Sequence, residues 1–369
     1  MYKIEQPSQA TLKKQLNPLK QRIEEQINLY LPSKGKQVLK NVVNTRKLKL
    51  SVCVKSDSIT EWFLSWLITG NHIEDLLIGG MDELLGIVKM IEEERKKRGV
   101  HYEVIYASLN QVVYEKHFNE GKAITKFKED TVDHFQTVLY EIFVKQGYLG
   151  YIGEGKDKKL LFDKIEHVNG LKLRICPYCG RSFIYAVEEN GKTVKPQIDH
   201  FLPKSKYPFL ALSYFNLIPV CQTCNMKDCK GEYDPMIKIG ERLFSIIYPY
   251  EYDDKLIEFN TAIIKSDYYD DSSFAVSVDY NGNTDLEKAM KETMKFNAFY
   301  ELHNHEVGNI FRQLLVLRSR AKEYYKYFDI PKMAFNPTPQ LILGFNFSEE
   351  NSRNELLYKL KKKAYETFR

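Results

Sequence analysis

The sequence predicts an α+β protein in which a cysteine-rich, short-stranded segment lies between a helical N-terminal region and a mixed, mainly helical C-terminal region. Three observations predict it. Apolar residues recur at helical spacing in the first 150 residues and again after residue 284. Turn-bounded runs rich in β-branched and aromatic residues fill the middle. Five of the six cysteines fall between residues 176 and 229. These changes of pattern suggest regions 1–150, 151–240 and 241–369, the first of them a surface for substrate or partner.

Each element has a local reason. Ser58-Ile-Thr-Glu61 fits a capping box and introduces the apolar run Trp62, Phe63, Leu64, Trp66 and Leu67. Residues 82–98 read as a helix stopped by Gly99, with a basic last turn that suits the helix dipole. Val132, Phe135, Val138, Leu139, Ile142 and Phe143 predict another helix over 127–146, and Gly147, Gly150, Gly153 and Gly155 mark a joint after it. RSFIYAV (181–187) and KTVKPQID (192–199) then flank Asn190-Gly191, a hairpin signal. LFSIIYPY (243–250) and FAVSVDY (274–280) predict strands, and residues 284–328 predict helix. Pro331, Pro337 and Pro339 break the pattern before a last basic helix over 348–368.

Composition narrows the function. No apolar run is long enough to span a bilayer, and the polar N-terminus lacks a secretory stretch, so a cytoplasmic protein is expected. Net charge is +5, but residues 1–50 carry 11 Lys and Arg against 3 Asp and Glu, whereas residues 251–300 carry 5 against 11. The basic N-terminal stretch suits a polyanionic partner; a solvated helix face accounts for the same charges.

Clustered cysteines in a reducing compartment point to a metal before disulfides. Cys176-Pro-Tyr-Cys179 and Cys221-Gln-Thr-Cys224 are two CxxC knuckles separated by 41 residues. Two such turns supply four thiolates to one tetrahedral Zn²⁺ in a closed structural site, which stands in for the hydrophobic core that short strands lack. Cys229 lies outside both knuckles and reads as a bystander, with a competing metal ligand as the alternative. Redox-active or simply reduced thiols are the alternative.

Between the knuckles stand Asp199-His200 and Asn216, and Asn225 directly follows the second knuckle. Taken singly these residues say little: Asn216 suits a turn and Asn225 a helix cap. Their order, spacing and bracketing by CxxC pairs resemble the HNH nuclease superfamily, which has the ββα-metal fold; the resemblance covers about a sixth of the chain. It implies that Asp199 and Asn225 hold a divalent ion, that His200 is the general base, and that Asn216 fixes the imidazole and its loop. Asn225 stands where the namesake pattern has His, and an oxygen-rich ligand set favours Mg²⁺ or Mn²⁺. The chemistry asks for such groups independently, because phosphodiester hydrolysis needs a base near neutral pH and a hard cation beside the phosphate. Adjacent Asp199 and His200 point to opposite faces of a strand, which suits the roles if the strand ends there.

Arg181, Lys204, Lys206, Lys227 and Lys230 surround this set as candidate phosphate contacts. His303 and His305 read as surface or packing residues. The resemblance thus implies an endonuclease acting on nucleic acid, with DNA the expected substrate. Its relatives include restriction enzymes, homing endonucleases and anti-phage systems such as Septu, so a regulatory protein partner such as an ATPase is expected. Two-strand cleavage by a single site would be simplest in a homodimer. A non-catalytic zinc-dependent nucleic-acid-binding or interaction module stays open as the alternative.

Overall fold

A computed structural model describes residues 3–31, 59–70, 72–98, 134–149, 164–190, 192–328 and 338–368. Ser58, Gly99, Gly150, Gly153, Gly155, Gly191, Pro331, Pro337 and the start of the helix expected over 127–146 lie outside them.

The N-terminal helices are amphipathic stripes turned inward. Helix α1 (Gln9–Tyr30) starts where the Ser8 hydroxyl accepts from Thr11 N at 3.2 Å, and it buries Leu12, Leu16, Leu19, Ile23 and Ile27. Helix α2 (Ile59–Thr69) buries Phe63, Leu64 and Leu67, and α3 (His72–Ile78) follows. Helix α4 (Met81–Lys97) carries Asp82 and Glu83 in its first turn and Arg95, Lys96 and Lys97 in its last, complementing its dipole. Helix α5 (His134–Leu139) widens into π-turns over Tyr140–Tyr148 and buries Ile142, Phe143 and Val144. Gly147 lies there against Leu212, where an added Cβ would come within 2.8 Å of Leu212 Cδ1.

The middle of the chain departs from the expected hairpin. After α6 (Lys164–Gly170), β1 (Val187–Glu189) pairs with β2 (Lys192–Val194) in the register Val187↔Val194, with Asn190 at φ +50° in the turn. Residues 181–186 do not extend β1; within them Phe183 makes one isolated bridge to Ile175. The single strand expected over 192–199 is two strands parted at Lys195 and Pro196. β3 (Gln197–His200) pairs instead with β4 (Leu217–Val220), antiparallel, His200 opposite Leu217. Proline has no N–H for the ladder, so the change of partner falls there. Helix α7 (Gln222–Asn225) is one turn long and closes the ββα unit.

The C-terminal region wraps one hairpin in helices. β5 (Glu258–Ile263) pairs with β6 (Phe274–Asp279), Glu258 opposite Asp279. The strand expected over 243–250 does not form: Phe244 makes one bridge to Met236, and Pro249–Glu251 is a 3₁₀ turn. Leu243 is exposed, but the successive side chains Ile246, Ile247 and Tyr248, and Tyr250 after them, are buried, so the run from Ile246 packs as a core strap and not as a half-exposed strand. The helix expected over 284–328 divides into α8 (Thr284–Glu292), α9 (Phe296–Glu301) and α10 (Asn304–Phe328), with Lys295 left-handed at the first break. After α11 (Pro339–Leu343), the final helix divides into α12 (Glu349–Asn354) and α13 (Tyr358–Phe368). At that break Leu357 takes φ +56° and donates its N–H to Gly180 O at 2.9 Å, tying the C-terminus to the first knuckle.

Buried apolar residues from Ile4 to Tyr365 form one contiguous cluster. No helix among the described residues is long and apolar enough to cross a membrane.

Candidate active site

The four knuckle cysteines converge. The Sγ atoms of Cys176, Cys179, Cys221 and Cys224 all lie within 4.8 Å of one another and are buried, with Cys179 and Cys221 3.9 Å apart. A tetrahedron with Zn–S bonds of about 2.3 Å has sulfur–sulfur edges of roughly 3.8 Å, so donor set and spacing both fit a structural Zn²⁺. Local turns make the cluster: Gly180 at φ +65° lets its N–H reach Cys176 O at 2.8 Å, and Arg181 N donates to Cys179 Sγ at 3.4 Å. Among the described residues this is the one such group of histidine, cysteine or carboxylate ligands.

Beside the clamp, Asp199, His200 and Asn225 line one cleft of about 540 Å³, with Ile198, Pro203, Lys204, Ser205, Lys227, Gly231 and Glu232. β3 ends at His200, so the Asp-His pair lies where strand gives way to loop. His200 Nε2 is 3.1 Å from Ala211 O; a carbonyl only accepts, so Nε2 carries the proton and Nδ1 keeps its lone pair. The Tyr148 ring meets the imidazole edge-on at 4.5 Å. Burial holds the imidazole well below its ordinary range, with the Lys204 ammonium adding to the effect, so the ring is neutral near pH 7.

Asn216 is fully buried outside the cleft. Its Oδ1 accepts from Leu202 N at 2.7 Å, and its Nδ2 donates to Leu202 O and Leu210 O at 3.0 Å each. It thus ties both ends of the 202–210 loop, next to the Ala211 carbonyl that holds His200. Its effect on the imidazole is indirect.

The HNH endonuclease family matches residues 176–230, the span just described. This segment is an HNH domain. The chain is 36% identical to protein ea31 of Escherichia phage lambda over 75 residues, a fifth of each protein, and 39% identical to Septu protein PtuB of Bacillus thuringiensis over 59 residues, 16% of this chain and 20% of that one. The chain therefore aligns with only a fifth of the length of these relatives. No solved structure matches it.

Two residues of the HNH domain gained their roles only from the structure. Tyr178, inside the first knuckle, donates its hydroxyl to Asp199 Oδ2 at 2.6 Å. Burial, and then the neighbouring carboxylate, push that hydroxyl well above its ordinary range, so it stays a donor. Lys230 does not face solvent as a phosphate contact would. Its side chain is fully buried, with Nζ 3.1 and 3.0 Å from the two Asp199 oxygens and 2.8 Å from His200 O. Burial raises the Asp199 carboxyl from its usual range while Lys230 and Tyr178 oppose the rise. The turn that aims Lys230 inward ends at Gly231, φ +46°, where a Cβ would crowd the Lys227 backbone at 3.0 Å.

The other basic candidates separate. Lys204 and Lys227 line the cleft. Lys206 instead pairs with Asp234 at 2.9 Å, and the Arg181 guanidinium lies 4.2 Å from the Phe299 ring centroid. His303 is half-buried, near Tyr300 and His305. Cys229 is buried and bonds Met294 O at 3.3 Å.

Proposed function

We propose that this chain is a metal-dependent HNH endonuclease that hydrolyses phosphodiester bonds of DNA. The observation that carries the reading is the convergence of Asp199, His200 and Asn225 on one cleft beside a four-cysteine clamp. Asp199 and Asn225 would hold Mg²⁺ or Mn²⁺, since a carboxylate and a carboxamide oxygen suit a hard cation and the Asp199 carboxylate has lone pairs beyond its two bonded partners. When bound, that ion supplies Lewis acidity to the scissile phosphate and stabilises the leaving oxygen.

The protein's own groups do the rest. Neutral His200 offers Nδ1 to a water, with Nε2 fixed on Ala211 O, so the imidazole accepts the proton without turning. Burial weakens it as a base in the free protein, and the negative charge of an entering phosphate strengthens it again. Lys204 and Lys227 meet phosphate oxygens and set the strand's position without reading its bases. The similarity to Septu protein PtuB supports a role in anti-phage defence with a regulatory protein partner, an ATPase being the reading the resemblance favours.

Plasmid nicking with Mg²⁺ or Mn²⁺ tests the reading. Wild type should cut and His200→Ala should not, with both retaining zinc. The pairing of Lys230 with Asp199 favours a second reading, a zinc-dependent nucleic-acid-binding module without catalysis. DNA binding with no cutting under any metal or partner condition would select it.

A further inference from the structure

We infer that Lys230 is the resident cation of the HNH site and that it makes divalent-metal binding depend on nucleic acid. The inference rests on the nuclease reading above and goes to how that site is controlled. Its starting point is a buried ion pair that the metal-site pattern does not call for.

Lys230 is no mobile surface lysine whose ammonium happens to lie near a carboxylate. Its Nζ spans both Asp199 oxygens and His200 O at 2.8–3.1 Å, with none of its side chain exposed. Its main chain is pinned as well: Lys230 N donates to Cys224 O at 3.1 Å, and Lys230 O accepts from Tyr233 N at 2.8 Å. The ammonium is therefore built into the site by the second knuckle and the Gly231 turn, and it stays when a ligand arrives.

Charge around the cleft follows from this. Two carboxylates, Asp199 and Glu232, and two ammoniums, Lys204 and Lys227, line the cleft, and the buried Lys230 ammonium paired with Asp199 adds a third positive charge. Such a cleft favours an anion. A hard dication entering the free protein would share its one charged ligand, Asp199, with an ammonium already in contact with that ligand, in a site largely shut off from water. Mg²⁺ is commonly held by one or two carboxylates together with substrate phosphates. Here the phosphodiester supplies the missing negative charge: it is drawn in by the lysines, and the site then accepts the ion. The order is nucleic acid first, metal second, so the free protein carries an incomplete cation site.

Mn²⁺ affinity, read by electron paramagnetic resonance or calorimetry, tests this without any turnover. In free wild type Mn²⁺ should bind weakly. A DNA duplex with phosphorothioate linkages should tighten it about tenfold or more, the scale on which outer-shell partners alter metal affinity. By linkage Mn²⁺ must tighten that duplex by the same factor. Lys230→Met should bind Mn²⁺ at least about tenfold more tightly than wild type without DNA, and should show a smaller DNA effect. Zinc content and circular dichroism report whether the variant has folded; if it has not, the wild-type coupling decides alone. Equal Mn²⁺ affinity with and without DNA, or weaker Mn²⁺ binding in folded Lys230→Met, would overturn the inference. The nuclease reading fails separately: tighter Mn²⁺ binding by the variant in a protein that never cuts DNA upholds Lys230's role and sinks the catalysis.

Discussion

Replacing Asn216 with alanine tests how the catalytic loop is held. The carboxamide makes three buried hydrogen bonds, at 2.7, 3.0 and 3.0 Å, and alanine makes none of them. At about 0.5–1.5 kcal/mol net for each bond, the bonds alone amount to roughly 3 kcal/mol. The Leu202 N–H would also be left without this acceptor in a buried loop, which adds about 1–3 kcal/mol unless water enters. The expected loss is about 4 kcal/mol, a large share of a stability of roughly 5–15 kcal/mol. Guanidinium denaturation of the zinc-loaded protein, extrapolated linearly to water, measures it. Asn216→Asp is the control: it keeps the bond to Leu202 N but sets a carboxylate oxygen against the Leu202 and Leu210 carbonyls, so it should lose as much. In both variants nicking should fall, because the Ala211 carbonyl that fixes His200 Nε2 follows directly on Leu210. A loss below about 1 kcal/mol, or nicking unchanged in folded Asn216→Ala, would refute the assignment of Asn216 as the loop's anchor.

Other outcomes follow from the same geometry. Removing zinc with a chelator, or changing Cys179 to serine, should raise amide exchange across 197–200 and 217–220 and lower the unfolding midpoint; unchanged exchange in zinc-free protein would rule out the clamp as the support of β3 and β4. His167 is wholly buried, bonded to Leu217 O at 3.1 Å, and burial depresses its pKa from 6.5 to about 4. The unfolded chain binds this proton more readily, so the stability from His167 is full above pH 6.5 and is lost as pH falls towards 4, by about 3 kcal/mol in all. The stability gap between wild type and His167→Gln should narrow accordingly from pH 7 to pH 4, and parallel curves would show that His167 is not the titrating group.

The residues legible from sequence are those whose chemistry is local or ordered along the chain. Two CxxC pairs announce the clamp, the Asp199-His200 pair and Asn225 announce the cleft, and Asn216 announces the loop beside it. The inward residues were hidden for physical reasons. Tyr178 occupies a variable position of a CxxC turn, and nothing in that turn says its hydroxyl will meet a carboxylate 21 residues away. Lys230 reads as a candidate phosphate contact at the surface because its burial depends on the left-handed Gly231 turn and on a partner 31 residues upstream. Tyr148 and Ala211 reach His200 from a distant helix and through a main-chain carbonyl, neither of which leaves a side-chain signature. Element boundaries slipped where a single residue overrides a pattern: Pro196 sends β3 to a new partner, and Lys295 and Leu357 take left-handed backbone inside otherwise helical sequence.

The site has two supports of different origin. The groups around Asp199 come from the clamp: Tyr178 lies within the first knuckle, and Asn225 and Lys230 follow the second. The groups around the His200 imidazole come from the 201–216 segment and the N-terminal helices, while Lys230 holds only its main-chain carbonyl. Ser213 Oγ donates to Leu76 O at 2.6 Å, Phe209 packs edge-on against Phe63, and Tyr148 meets the imidazole. Zinc loss should therefore disturb the carboxylate side first, whereas any partner that shifts α2, α3 or the 140–148 turns acts on the base and leaves the metal ligands in place. If the base and the metal ligands are set independently, a partner bound to those helices would change the rate of cutting without changing Mn²⁺ affinity.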